Sequence, residues 1–275
     1  MRRMMAVMLL LGLSSLSTAR GQNPLFNQNT EALRQQFLVN AGRFTYTNTD
    51  QPTPEATMAT GGPATVSVSN LKIPDKAVKE LQKSDKALKG GDVRASAEHL
   101  EKALTIYPEL PAAHNELGSR YAALKEYEKA VDEFEKALAL KQNYRLAADN
   151  ITAVLCLQHR WAEAEPTARH ALQIEPEAPS SQYLLGSILV QEGRYTPEAT
   201  GLLEKVKTKY SRARLFLAVA EAGRGENEAA SGELKEYLKL DSAEPEYKKV
   251  AQTWLATLEK QEEAARKTKE TGLPQ

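Results

Sequence analysis

From residue 77 onward the apolar positions of the chain fall into groups that return every 34 residues. In the stretch 111–144, Leu117, Gly118 and Tyr121 stand at places 7, 8 and 11, and Tyr127, Ala130, Phe134 and Ala137 at places 17, 20, 24 and 27. Gaps of three and four residues put each group on one stripe of an α-helix. One period therefore reads as two antiparallel helices joined by a short turn. The small residues at places 8, 20 and 27 let the two helices approach closely, and the large ones at 7, 11 and 24 fill the space between neighbouring pairs.

The same register runs through the flanking stretches. Residues 145–178 carry Ile151, Thr152, Leu155, Trp161, Ala164, Ala168, Ala171 and Pro176. Residues 77–110 start less faithfully, with Ser84 and Ala87, but continue with Leu100, Ala103 and Pro108, and Gly90-Gly91-Asp92 gives a stop and a restart between the helices. Residues 179–210 hold Leu185, Gly186 and Leu189, then one extra turn residue before Thr196 and Pro197, a cap and a first-turn proline ahead of Ala199, Leu203 and Val206. A degenerate fifth unit, 211–242, keeps Leu217, Ala218, Gly225, Ala230, Leu234 and Tyr237. The segment 243–266, with Tyr247, Val250, Trp254, Leu255 and Leu258 on one side, reads as an amphipathic helix capping the stack, and 267–275 as a disordered tail.

In its period and in the residue types at fixed offsets, the array 74–242 resembles the tetratricopeptide repeat. The resemblance implies an all-α fold, a right-handed solenoid of antiparallel helix pairs, with about five units and the C-terminal capping helix. It also implies a protein that binds peptides or protein surfaces and has no chemistry of its own. In the family, places 2, 5, 9, 12 and 13 of the first helices line the concave surface. Here that implicates Asn115, Ser119, Leu146, Ala153, Leu157, Tyr183 and Val190, with Asn150 at the adjoining place 6, as the candidate peptide groove. Members that clamp a C-terminal carboxylate use Lys, Arg and Asn at places 2, 5, 6 and 9. This chain has Leu81, Asp85, Asn115, Glu116, Leu146 and Asn150 there, with no cation, so an apolar or extended segment is the expected ligand, held by burial and by hydrogen bonds from Asn115 and Asn150.

Before the array the composition changes. Met1-Arg2-Arg3, the apolar run Met4–Leu13 and the small residues up to Ala19 form an expected signal peptide, 1–21, cut near Ala19 or Gly21. It is too short to span a membrane, and no later run is long enough, so no transmembrane segment is expected in the mature chain. Residues 22–73, rich in Asn, Gln, Thr, Pro and Gly, read as a flexible N-terminal segment, with Thr30–Asn40 and Thr65–Leu71 as patches that could order.

Charge and chemistry narrow the function. The 36 basic and 36 acidic residues cancel, and loss of Arg2, Arg3 and Arg20 with the signal leaves a net charge of −3, which argues against nucleic acid. His99, His114, His159 and His170 are scattered, with no i, i+4 zinc pair. Gly118-Ser119 and Gly186-Ser187 lie at helix-contact places, outside any nucleophile elbow. Cys156 is the one cysteine, so no internal disulfide is possible. The sequence predicts no cofactor, no metal and no catalytic residues. It predicts an exported scaffold, periplasmic or secreted, that binds a protein or peptide, with self-association as the alternative.

Overall fold

The computed structural model describes residues 73–240, 243 and 245–271. The expected signal peptide, the N-terminal patches and the last four residues lie outside these. All regular structure among the described residues is helical: α1 (Asp75–Lys89), α2 (Val93–Ile106), α3 (Pro111–Ala123), α4 (Tyr127–Leu140), α5 (Arg145–Leu157), α6 (Trp161–Ile174), α7 (Pro179–Gln191), α8 (Pro197–Val206), α9 (Ala213–Gly223), α10 (Asn227–Leu238) and α11 (Pro245–Thr271). Helices α1 to α10 form five hairpins, each packed on the next.

Local chemistry explains the boundaries. Asp92 accepts from the Ala95 amide at 2.9 Å and Thr196 from the Ala199 amide at 3.2 Å, which caps α2 and α8. Pro111, Pro179 and Pro197 occupy first turns, where the missing N–H would have no helical partner. Every first helix ends alike. Gly91, Lys125, His159, Gly193 and Gly225 have φ of 82°, 62°, 58°, 72° and 82°. The amide after each closes a six-residue turn onto a helical carbonyl, as in Asp92 to Ala87, Glu126 to Tyr121 and Arg160 to Leu155, all at 2.9 Å. This is the Schellman stop, repeated once per hairpin.

Within a hairpin, the small residue at place 8 sets the approach. A Cβ added to Gly186 would stand 2.8 Å from Leu203 Cγ. In the first hairpin the place is held by Ser84, whose buried hydroxyl lies 2.8 Å from that of Ser96, and Arg120 Nε of the next hairpin donates to the same Ser96 oxygen at 3.1 Å. Between hairpins, each second helix packs on the following first helix, and successive first helices also touch: α3 with α5, α5 with α7, α7 with α9. The first helices therefore crowd along one side of the stack, its inner face.

The array ends where α11 lays Tyr247, Ala251, Trp254 and Leu258 against α10. Ion pairs extend the contact, Lys235 with Glu259 at 2.9 Å, and Ser231 donates to Glu262 at 3.2 Å. This helix runs to Thr271, past the expected end at Arg266. Its last turns need no core, since Glu263 and Lys267 form an i, i+4 pair at 2.6 Å on the exposed surface. No helix among the described residues is long and apolar enough to cross a membrane.

Candidate functional site

Among the described residues, partly exposed side chains line the inner face on α1, on α3 and at the two ends of α5, whereas residues 181–190 on α7 and 215–220 on α9 are buried. Its floor is polar: Asn150 Nδ2 on α5 donates to Asn115 Oδ1 on α3 at 2.8 Å, and both side chains are buried. Ser119, one turn further along α3, donates its hydroxyl to the Asn115 carbonyl at 3.0 Å. Beside this pair lies a small cavity of about 20 Å³, lined by Ser119, Ala122, Phe134, Asn150, Ala153, Val154 and Leu157. It has room for one methyl group or one water. Leu146 and Leu157 are partly exposed along its α5 edge.

Four of the expected groove residues, Ser119, Asn150, Ala153 and Leu157, thus meet around one cavity, with Asn115 beneath them and Leu146 on the same helix as the last three. The asparagines do not stand free as expected. Each already spends part of its amide on the other, so they fix the register of α3 on α5. The lining residues that place-by-place reasoning missed are Val154 and Phe134. Phe134 is recognisable in the sequence only as a packing residue, and its ring is what closes the cavity from the α4 side.

Tyr183 and Val190 are placed elsewhere, and here the sequence expectation is corrected. Tyr183 is 2 % exposed and Val190 0 %. The Tyr183 ring packs on Tyr210 with centroids 4.9 Å apart and meets Phe216 edge-on at 6.0 Å. Large rings on α7 and α9 fill the gap between hairpins and shut the trough, so both residues belong to the core.

At the boundary between the open and closed parts, Asp149 on α5 is buried in a polar knot. It accepts from Ser180 Oγ at 2.7 Å and Ser181 Oγ at 2.6 Å, and it pairs with Arg145, which also reaches Glu175 at 2.7 Å. Burial raises the Asp149 pKa, opposed by the two serines and Arg145. Cys156 is buried, and desolvation pushes its thiol up to about 12, so it is held as an unreactive apolar filler.

Two histidines pair helix to helix. His99 Nδ1 lies 2.7 Å from Glu80, and His114 Nδ1 lies 2.6 Å from Glu133. His114 Nε2 donates to the Pro108 carbonyl at 2.8 Å, which ties the hairpin to the loop before it. Arg214 and Glu233 repeat the same helix-to-helix pairing at 2.6 Å in the fifth hairpin. His159 occupies the left-handed turn residue. No group of three or more metal-ligating side chains occurs among the described residues.

The family pattern of the tetratricopeptide repeat matches residues 111–144, the hairpin α3–α4 that supplies three of the seven residues lining the cavity. Residues 111–144 are a tetratricopeptide repeat. Solved structures share the fold of its array. A MamA fragment from Desulfovibrio magneticus RS-1 is 19 % identical, with a TM-score of 0.57 over 63 % of this chain and 99 % of that one. YrrB, described as a TPR protein with an unusual peptide-binding site, is 18 % identical with a TM-score of 0.55 over 68 % and 95 %. A tetratricopeptide-repeat protein from Parabacteroides merdae ATCC 43184 is 17 % identical with a TM-score of 0.60 over 72 % and 79 %. At such identities the likeness is one of fold. No curated protein sequence matches the chain. The five hairpins α1 to α10 stack as that repeat does and offer side chains on an extended face.

Proposed function

We propose that the protein is a non-catalytic interaction scaffold that holds a segment of a protein partner on the inner face of α1, α3 and α5. The observation that carries this reading is the cavity between α3 and α5, where Ser119, Ala122, Ala153 and Leu157 bound an opening on the inner face. A site with room for a methyl group, aliphatic rims and a fixed polar floor suits polypeptide side chains better than a drug-sized metabolite. The N-terminal sequence supports export, to the periplasm or beyond the cell.

A photo-crosslinking residue at Ala122 or Leu157, in cells, tests the reading against one at Glu135 on the exposed side of α4. A discrete adduct is expected from the first two, and the Ala122 adduct should be lost on Leu157→Asp. Equal labelling from all three positions would remove the inner face from consideration. Fractionation of the same cells, with the mature N-terminus sequenced, tests export: a mature chain that keeps Met1 in the cytoplasm would refute it.

A second reading, self-assembly, has one observation in its favour. Ile106 and Leu140 are the large aliphatic residues left exposed among the described residues, and they occupy the same place in successive hairpins. Concentration-dependent sedimentation that Ile106→Lys with Leu140→Lys abolishes would establish it.

A further inference from the structure

The open part of the inner face carries charge as well as apolar surface. Asp85 on α1 and Glu116 on α3 stand at places 9 and 6 of successive first helices. The Asp85 side chain makes no hydrogen bond or ion pair among the described residues. Glu116 has only Arg120 Nη2 at 3.9 Å, and Arg120 has turned its Nε to Ser96. Burial raises the Glu116 pKa; Arg120 opposes this and the negative charge of Asp85 adds to it. Two carboxylates therefore sit together without a strong cationic partner. The same first helices carry the partly exposed Leu81 and Leu88 on α1 and Leu146 and Leu157 on α5.

The lysines of α1 do not supply the missing cation. Lys79, Lys83 and Lys86 occupy places 3, 7 and 10. In the next hairpin those places hold Ala113, Leu117 and Arg120, buried against α2, so the lysines face the end of the array. Lys89 lies one turn beyond Asp85, exposed, and forms no pair with it.

We propose that this trough binds a segment of another protein carrying one lysine or arginine between aliphatic side chains, with the cation set on Asp85 and Glu116 and the aliphatic groups against Leu81, Leu146 and Leu157. The inference rests on the scaffold reading above and gives its partner a chemistry opposite to that of a carboxylate clamp.

The test is fluorescence anisotropy on the full-length protein with a labelled nine-residue peptide of alanine and leucine. Its central residue is lysine, norleucine or glutamate. The lysine probe should bind about fivefold more tightly than the norleucine probe and the glutamate probe more weakly still. Added salt should narrow the spread. Asp85→Asn with Glu116→Gln should erase the lysine advantage and leave the norleucine affinity unchanged, and Leu157→Asp should abolish binding of all three. Equal binding of the three probes, lost on Leu157→Asp, would overturn the charge inference and keep the scaffold reading. Binding by none of them would overturn both. A synthetic peptide of residues 30–40, in which Leu33 precedes Arg34, is the competing occupant. If it displaces the lysine probe at lower concentration than the unlabelled probe does, the trough belongs to the chain's own segment and the separate partner is refuted.

Discussion

Gly118 and Phe134 meet face to face across the α3–α4 hairpin: a Cβ on Gly118 would stand 2.7 Å from two ring atoms of Phe134 and 3.0 Å from the Ala130 carbonyl. The ring can yield a little, the backbone oxygen cannot, and the same ring walls the inner-face cavity. Gly118→Leu should therefore destabilise the array by about 1–3 kcal/mol in chemical unfolding. Phe134→Leu added to it should recover part of that loss. An unchanged midpoint for Gly118→Leu would mean that the helices are not in contact at this place.

This contact shows what the sequence makes legible. A glycine eight places into a repeat, with an aromatic residue sixteen further on, has one economical explanation, close helix packing, and the hairpin is readable from it. Cap residues were equally plain, since Thr196 before Pro197 and Asp92 after Gly91 offer an oxygen where a helix needs one. The inner face was harder. Tyr183 and Ser119 stand at places 5 and 9 of their repeats, both groove-lining places in the family pattern. Whether such a place is open depends on what the next hairpin brings, and only the fold sets Tyr210 and Phe216 over Tyr183. The role of His159 was hidden for another reason: a left-handed turn residue is recognisable when it is glycine and not when it is histidine or lysine.

Those two turn residues can be improved. A left-handed φ costs an L-residue roughly 1–2 kcal/mol, of which glycine's extra freedom in the unfolded chain returns a part. Lys125→Gly and His159→Gly should each stabilise by about 0.5–1 kcal/mol, read as a rise of a few degrees in Tm. The converse, Gly91→Ala, isolates the backbone cost, because nothing lies within 4 Å of the added Cβ. It should destabilise by about 1 kcal/mol.

The buried asparagine pair predicts an asymmetry. Asn150→Ala removes the donor to Asn115 Oδ1 and leaves a buried acceptor unmet, which should cost about 1–3 kcal/mol. Adding Asn115→Ala should cost less than a second full increment, because the orphan is removed with it. A double-mutant cycle on urea unfolding reads the coupling; strict additivity would show that the two amides act independently.

Glu221 should make the array sensitive to pH. It stands where Tyr121, Leu155 and Leu189 stand in earlier hairpins, and its Oε2 is buried without a hydrogen-bond partner. Burial, with Glu233 nearby and Arg224 opposing, pushes its pKa up to about 7. The folded state thus holds this proton to higher pH than the unfolded chain does. Stability is lost as pH rises from the usual carboxylate range to about 7 and is flat above it. Glu221→Leu should raise Tm at pH 8, by about 1 kcal/mol of stability, and do so much less at pH 5. A pH-independent difference would show that packing, not the charge, is responsible.

The choice of variant decides whether the inner face can be tested at all. Tyr183 looks like a groove residue in the sequence, yet its ring is enclosed by Tyr210 and Phe216. Tyr183→Ala leaves a cavity between hairpins and should cost about 3–5 kcal/mol, so any binding it abolishes could be lost through unfolding. Leu157 is different: it ends α5 at the partly exposed rim of the cavity, where a carboxylate can reach water. Leu157→Asp should shift Tm by no more than a few degrees and remove probe binding, while Tyr183→Ala should show its effect in circular dichroism melts before any ligand is added. If instead Tyr183→Ala melts like the parent protein and Leu157→Asp collapses the fold, the open and closed halves of the inner face have been exchanged, and the partner surface would have to be sought on α7 and α9.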